Sequence, residues 1–203
     1  MENYICVGGQ KVELTGEELE RVKKTWFQPK VRLADIPVAE PFRIGDHEFV
    51  VLEHCCGETA VILRGLLEEN EVFDKKNNRY DGSNVDKICM DFGVKLAALV
   101  GVDNLVEHSV DLTSDDGLKD YGCVDRKASL MTAEQYRKYV DVLDQHKVDD
   151  YWWLSTPHST ARHGNASWVK CVAPVGFIND NCCDNVSGVR PFCIFKSNIF
   201  VSR

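Results

Sequence analysis

The C-terminal quarter of the chain, residues 151–203, lacks the helix formers Glu, Gln and Met and is rich in aromatic residues. After Gln145 there is no Glu, Gln or Met in 58 residues, although the first 145 residues contain 14 Glu, 4 Gln and 3 Met. Three of the four tryptophans lie here, at Trp152, Trp153 and Trp168. Helices favour Glu, Gln and Met, whereas strands favour aromatic and β-branched residues. This composition therefore predicts a strand-and-loop segment built on large aromatic side chains.

The same segment carries a charge opposite to that of the rest of the chain. Its five Lys and Arg and two Asp give +3, so the whole-chain charge of −8 leaves −11 for residues 1–150. Contacts with phosphates need clustered Lys and Arg, which the sequence lacks. The sequence therefore argues against a general nucleic-acid or anionic-membrane binder. A length of 203 residues is enough for one domain with its own hydrophobic core.

The sequence shows no targeting signal. Its N-terminus has neither a basic start nor an apolar run, and no stretch of about 18 apolar residues occurs. We expect cytoplasmic synthesis without a signal peptide, no membrane span, and association with a virion or cell surface if the protein leaves the cell. Nine cysteines, an odd number spread over the chain, suit free thiols better than a disulfide framework.

The first 41 residues predict an N-terminal appendage and linker. Thr15 and Glu18 form a Thr-x-x-Glu capping box at the start of a helix, and Leu14 can pack on Leu19 across that start. A following proline predicts that the helix ends near Trp26. Residues 42–203 are expected to form the main domain.

Two strands and a helix come next. Residues 48–54 and 59–64 are β-rich runs around a short Gly-containing turn, which predicts a hairpin. Ser83 predicts the N-cap of a helix that begins at Asn84. Gly93 makes a break in this helix plausible, so that the apolar residues after it either extend the helix or form a separate turn.

A second capping box, formed by Thr132 and Gln135, predicts a helix with a tyrosine-rich apolar face. Between the two helices, residues 104–124 are acidic and irregular. We expect them to form a long, solvated surface loop.

The sequence does not show a motif for metal or covalent chemistry. The pairs Cys55-Cys56 and Cys182-Cys183 are adjacent, whereas zinc ligands are usually spaced by two to four residues, so buried or idle thiols are expected. The acidic residues 111–117 miss the alternating ligand positions of an EF-hand. No phosphate-binding glycine loop, His-Glu-x-x-His motif or nucleophile turn is present. We therefore predict no catalytic residue, no metal and no cofactor.

Trp153 and Arg190 are assigned structural roles. Trp152 and Trp153 are adjacent, so on a strand one is expected in the core and the other on the opposite side. Arg190 is flanked by apolar strand residues such as Phe192, and we expect its guanidinium to be semi-buried and held by carbonyls or a carboxylate.

The C-terminal segment resembles a known family. The residues that carry the resemblance are Trp152-Trp153-Leu154-Ser155-Thr156-Pro157, then Val169 and Val175-Gly176, then Gly188-Val189-Arg190-Pro191. They are similar to the end of bacterial C-type-lectin-like proteins related to the formylglycine-generating enzyme. The hairpin at 49–63, the approach to the first helix at 78–83 and residues 128–132 fit as well. The family more often has Arg-Ser before the proline at 157, so no role of that arginine is carried over.

The resemblance covers about residues 42–203 and implies an α+β, C-type lectin-like fold with short antiparallel strands, two or three helices and long loops. This fold includes the variable proteins of diversity-generating retroelements, whose C-terminal surface is randomised at template adenines. An Asn codon mutated at both adenines never yields Lys, Glu, Gln, Met or Trp. Between His158 and Ser187 only Trp168 and Lys170 fall outside the set that it can yield.

These observations predict a variable ligand-binding surface within residues 151–203, with Trp168 and Lys170 as fixed anchors. The ligand is expected to be a protein or cell-surface molecule, and a homo-oligomer is compatible with this function. The predicted ligand-binding residues are His158, Thr160, Arg162, His163, Asn165, Trp168, Lys170, Phe177, Asn179, Asp180, Asn181, Cys182, Asp184 and Asn185.

Two alternatives remain open at this stage. The first is a thiol oxidoreductase of the formylglycine-generating type, whose candidate cysteines are Cys171, Cys182, Cys183 and Cys193. The second is a structural phage or cell-surface component whose C-terminal end packs against a partner.

Overall fold

The computed structural model describes residues 4–7, 10–18, 21, 30–67 and 70–203. They form a mixed α/β structure dominated by short antiparallel strands. The strands are β1 (Tyr4–Val7), β2 (Gln10–Glu13), β3 (Lys30–Arg32), β4 (Pro41–Ile44), β5 (His47–Cys55), β6 (Glu58–Leu63), β7 (Glu71–Val72), β8 (Leu105–Val106), β9 (His108–Asp111), β10 (Cys123–Arg126), β11 (Ala128–Ser129), β12 (Trp152–Pro157), β13 (Trp168–Val172), β14 (Ile178–Cys182), β15 (Val186–Ser187), β16 (Phe192–Lys196) and β17 (Phe200–Ser202). The helices are α1 (Asn84–Val100), α2 (Ala133–Lys138) and α3 (Val140–Leu143), and 3₁₀ turns occur at Leu33–Asp35, Asp144–His146 and Ala161–His163.

The main sheet has the strand order β11-β16-β6-β5-β4-β17-β3, and β8 also pairs with β16. Strand β17, the last in the chain, lies between β4 and β3 and pairs antiparallel with both. Leu33 and Ile36, which follow β3, are buried in the core. Residues 30–41 are therefore part of the domain, and the predicted linker up to residue 41 is wrong in this part. The prolines suggested an extended linker. Instead, β3 pairs with β17, which lies far away in the sequence, and this pairing includes the segment in the main sheet.

The predicted hairpin is confirmed as β5 and β6. Its turn consists of Cys56 and Gly57, which both have positive φ, 53° and 82°. Positive φ at both central residues is the signature of the two-residue type I′ turn. Val61 packs in one apolar cluster with Phe92 of α1, while Ile62 packs in another with Tyr136 of α2. Both faces of these strands are covered, which explains the nearly continuous apolar sequence of β6.

Helix α1 begins where the sequence predicts. Ser83 caps it by accepting a hydrogen bond from the Asp86 amide (3.1 Å). The helix then continues through Gly93, so the break considered there does not occur. A Cβ at Gly93 would lie 3.2 Å from the Cβ of Ala128. The glycine thus allows close packing of α1 on β11.

The second capping box is also confirmed, with Thr132 and Gln135 bonding reciprocally. The helix is interrupted, however, at Tyr139 (φ −109°, ψ 15°), which separates α2 from α3. Tyr136, Tyr139 and Leu143 nevertheless remain buried in one cluster. The interruption therefore keeps the predicted apolar face.

The predicted irregular loop over residues 104–124 is only partly correct. Strands β8 and β9 lie within it, and β9 pairs with β10. Val110 and Leu112 are fully buried. Their burial was hidden because single apolar residues alternate there with acidic and polar ones.

A second sheet contains β12, β13 and β14, in that order. Both Trp152 and Trp153 are buried, although they lie on opposite faces of β12. Trp152 packs beside Tyr136, and Trp153 packs beside Phe73. From the alternation of side chains along a strand, only one of the two was expected in the core. In the structure β12 lies between two apolar clusters, so both of its faces are covered.

The N-terminal capping box is confirmed, since the Thr15 amide donates to Glu18 (2.8 Å) and the Glu18 amide donates to Thr15 (3.2 Å). The predicted contact with Leu19 and the helix end near Trp26 lie outside the described residues. Within the described part of the chain, none of the helices is long and apolar enough to cross a membrane.

Candidate ligand-binding surface

The outer face of the β13–β14 hairpin brings four of the predicted residues together. Trp168 lies opposite Cys182, and Lys170 lies opposite Asp180. Successive side chains of a strand face opposite sides, so Val169, between Trp168 and Lys170, points inward and is fully buried. The inner side of the hairpin therefore packs on the hydrophobic core.

Lys170 is only 8% exposed and is enclosed by carboxylates. Its Nζ lies 2.8 Å from Asp115 Oδ2 and 3.0 Å from Asp180 Oδ1. Burial alone lowers the pKa of Lys170, but the hydrogen bonds to Asp115 and Asp180 outweigh it, and the net pKa is raised. Lys170 is thus a fixed, neutralised anchor rather than a free cation that a ligand meets.

Residues 111–122, which we call the acidic loop, bind the loop that precedes β13. Asp116 accepts hydrogen bonds from Ser159 Oγ (2.6 Å) and pairs with His163 Nδ1 (2.8 Å). Asp120 accepts from Thr160 Oγ1 (2.7 Å) and from the Arg162 guanidinium. These aspartates are exposed, as expected for a solvated loop. The sequence did not predict their hydrogen bonds, which hold the candidate surface in place.

The electrostatics of the acidic loop follow from these bonds. Hydrogen bonds from Ser114, Ser159 and His163, in that order, lower the pKa of the Asp116 carboxyl. Burial raises the pKa of Asp115, yet hydrogen bonds from Lys170 and Arg137 bring it below its usual value. The carboxylates are therefore ionised and already engaged by donors. Among the described residues, no group of three or more His, Cys, Asp or Glu could hold a metal ion.

A buried amide fixes the backbone beneath the surface. Asn78 is fully buried, and its Nδ2 donates to the carbonyls of Ser159 (2.9 Å) and Trp168 (2.8 Å). Its Oδ1 accepts from Tyr121 Oη (2.8 Å), and its own amide donates to Ala166 O (2.8 Å). One side chain thus ties both ends of residues 159–168 to the scaffold.

Trp168 is the large aromatic group of this face and is 45% exposed. Its amide donates to Asn165 Oδ1 (3.3 Å), and its carbonyl accepts from the His158 amide (2.9 Å). His158 Nδ1 lies 3.0 Å from Asp180 Oδ1, next to the Lys170 pair. Hydrogen bonds thus fix the backbone of Trp168 on both its amide and its carbonyl side, while the side chain stays partly exposed.

Phe177 is separated from the Trp168 face. It is 54% exposed and lies in the turn after β13, beyond four strand residues that span about 13 Å. Tyr136 Oη donates to the carbonyl of Gly176 (2.5 Å) and holds this turn. With the exposed Val175, Phe177 forms a second apolar patch.

The remaining predicted residues lie along the edge strand β14 and the turn that follows it. Asn181 donates to Ser187 Oγ (3.3 Å) and accepts from Asn185 Nδ2 (2.8 Å). Asn179, Asp184 and Asn185 are exposed. This edge is connected to the Trp168 face because the Cys183 amide donates to Ser167 O (2.7 Å).

The structure buries both residues that were assigned structural roles. Trp153 donates from Nε1 to the Glu71 carbonyl (2.8 Å). Arg190 is completely enclosed and donates to the carbonyls of Leu63, Arg64 and His146, each at 2.9 Å. Burial lowers the pKa of Arg190 to about 10. The guanidinium thus joins β6, the turn after α3 and the segment before β16.

The cysteines of the oxidoreductase alternative are poorly placed for catalysis. Cys171, Cys183 and Cys193 are buried. Burial raises the pKa of Cys171 to about 12 and that of Cys183 to about 11. A hydrogen bond with Asp184 is the main cause that raises the pKa of Cys182. Because the thiolate is the reactive form, these thiols are less reactive than an ordinary cysteine.

Two parts of the surface were not found from the sequence. Asp115, Asp116 and Asp120 were assigned to solvent, and Asn78 was treated only as part of the approach to α1. The opposite charges of residues 1–150 and 151–203 were a usable signal, since Lys170 and Arg162 pair with the acidic loop. No comparable signal marks Asn78.

Comparisons of the chain with protein-family models, curated proteins and solved structures found no match.

Proposed function

We propose that this protein binds a protein or cell-surface ligand through a diversified surface displayed on a C-type lectin-like scaffold. The surface comprises the exposed residues of 158–168 and 179–185, with the patch around Phe177 as a separate contact. Thr160, which was predicted to bind the ligand, is only 1% exposed and supports the surface from within. The mixed α/β structure with short antiparallel strands and long loops agrees with the fold that the resemblance implies.

The observation that carries this proposal is the position of Trp168. Trp168 is 45% exposed and lies on the β13–β14 face, opposite Cys182 and next to the Lys170–Asp180 pair. Asn78 and the acidic loop hold the surrounding backbone without using the indole. The indole therefore lacks an evident structural duty, which favours a role in contact with a ligand.

Such a surface suits protein recognition. Aromatic anchors at the centre of an interface often contribute about 2 kcal/mol or more to binding. Ser, Asn and similar small groups adapt their hydrogen bonds to different partners. Because hydrogen bonds already order the loop, binding loses little conformational entropy.

Burial supports the proposal, because it distinguishes exposed positions, where substitution is tolerated, from buried ones, where it is not. The exposed side chains of residues 161, 184 and 185 do not support the core. Val169, Cys171 and Val172 are buried and pack in apolar clusters. Diversification by a retroelement is expected to change the first group and leave the second unchanged.

The experiment is to sequence the coding region and about a kilobase downstream from several isolates of the source. Substitutions at exposed positions of 158–187, matched by adenines in a near-identical downstream copy, would support the proposal. An invariant segment without such a copy would refute diversification. Substitutions that fall equally on buried residues such as Val169 would refute the proposed surface.

A further inference from the structure

The tip of the β5–β6 hairpin places two thiols side by side. Cys55 and Cys56 are both exposed, and their Sγ atoms are 3.3 Å apart. Neighbouring residues of a regular strand would face opposite sides. Here Cys55 is the last paired residue of β5, opposite Glu58, and Cys56 is the first residue of the turn. The turn therefore brings together two thiols that the sequence predicted to be idle.

Cys56 is an unusual residue for its backbone conformation. Its φ is +53°, in the left-handed region that favours Gly, Asn and Asp. Type I′ turns show the same preference for Asn-Gly and Asp-Gly. A residue held in a disfavoured conformation is a reason to look for a function. The observation is independent of the distance between the sulfur atoms.

The sulfur separation fits one kind of ligand. An atom bonded to both sulfurs at about 2.3 Å with the observed separation of 3.3 Å would have an angle near 90° between its bonds. Pyramidal thiophilic centres have such angles. Tetrahedral zinc would need a wider separation and further ligands, and a disulfide would need the sulfurs at about 2.05 Å.

We propose that Cys55 and Cys56 form a vicinal-dithiol site that binds trivalent arsenicals and similar soft, pyramidal electrophiles. With an arylarsenic oxide, two As–S bonds form and two S–H bonds break. The arsenic-bound oxygen leaves as water with both thiol protons. The oxidation state of arsenic and sulfur does not change, so no oxidant or reductant is required. This site is independent of the surface around Trp168.

The chain provides matched controls. Cys182 and Cys183 are also adjacent, but Cys183 is buried. Cys123 is exposed and has no neighbouring cysteine in the sequence. Cys182→Ser and Cys123→Ser therefore test an adjacent pair and a single exposed thiol without altering the hairpin.

The test uses the full-length protein and phenylarsine oxide at one molar equivalent, followed by intact-mass measurement. One adduct per chain should survive an excess of monothiol and be removed by a dithiol. Cys55→Ser and Cys56→Ser should each reduce the retained adduct by roughly 100-fold, because the second As–S bond is intramolecular. Cys182→Ser and Cys123→Ser should retain it.

Loss of the adduct to monothiol in the wild-type protein would overturn the proposal. Equal retention in Cys55→Ser and Cys56→Ser would also overturn it. Since both cysteines are exposed, the serine variants should fold, and circular dichroism would verify this. Cys56→Asn provides a second variant with a residue that the turn prefers, so loss of the adduct there cannot be attributed to misfolding.

Discussion

The ammonium group of Lys170 lies 2.8 Å from the Asp115 carboxylate, which joins β13 to a loop more than fifty residues earlier in the chain. Asp180 completes the enclosure from β14. The pair gives a structural role to a lysine in a segment that contains no Glu or Gln. It also shows that the acidic loop and the candidate surface form one structural unit.

Asp115→Asn should lower the free energy of unfolding by about 1–2 kcal/mol, less than for a fully buried pair because Asp180 still contacts Lys170. A double-mutant cycle with Lys170→Met, measured by urea denaturation, should give a coupling energy of about 1 kcal/mol. The control is Asp35→Asn, whose partner Arg32 is exposed, and it should change stability by less than about 0.5 kcal/mol. Equal effects of the two Asp variants would contradict this role.

Asn78→Ala should loosen the loop that carries Trp168. It leaves the carbonyls of Ser159 and Trp168 without their donor, and we expect a loss of about 2–4 kcal/mol in stability. Hydrogen exchange over residues 159–168 should accelerate more than exchange in α1. Asn198→Ala, at an exposed position, serves as the control. Unchanged exchange in the Asn78 variant would show that other contacts hold the loop.

Trp168→Ala should leave stability within about 0.5 kcal/mol of the wild type, as expected for an exposed side chain. Trp153→Phe, at a buried indole that donates to Glu71 O, should cost about 1–3 kcal/mol. Thermal and urea unfolding of both variants would measure the difference. A large loss of stability for Trp168→Ala would assign the indole to the core and remove the main support for the proposed surface.

His108 should make stability depend on pH. Its ring accepts or donates one hydrogen bond with Ser129 Oγ (2.9 Å), and burial lowers its pKa to about 4. The unfolded value is about 6.5, so between these values the unfolded chain binds more protons than the folded one. Titration of His108 therefore does not affect the free energy of unfolding above about pH 6.5. As the pH is lowered towards 4, it reduces the free energy of unfolding by about 3 kcal/mol.

His108→Gln should remove this part of the pH dependence. Urea denaturation at several pH values between 7 and 4.5 would compare the slopes of the two proteins. Parallel curves would show that His108 does not titrate as described. Asp115 and Asp116 affect stability at lower pH. Because their pKa values are lowered in the folded protein, they stabilise it above the ordinary pKa of an aspartate, and this stabilisation is lost as the pH falls further.

Local features of the fold were predictable because their causes are local. The capping boxes at Thr15 and Thr132 and the cap at Ser83 each depend on residues three positions apart. The β5–β6 hairpin depends on two apolar runs and a short turn. Such patterns determine where elements begin and reverse.

Other features depended on contacts between distant segments. Residues 30–32 became a strand only because β17 pairs with them. The alternation of Trp152 and Trp153 was predicted, but not that apolar clusters cover both faces of β12. Likewise, the sequence predicted Trp168 and Phe177 in one surface, whereas in the structure they lie at opposite ends of β13.

By itself, the sequence determined the strand-rich character of residues 151–203, the helix starts and the sign of the charge on each part of the chain. Those properties follow from side-chain chemistry and short spacing. The tertiary structure decided which charges meet, which aromatic groups stay exposed and which thiols lie side by side. These depend on where the chain returns in space, as when Asn78 reaches the carbonyls of Ser159 and Trp168, which are 81 and 90 residues away in the sequence.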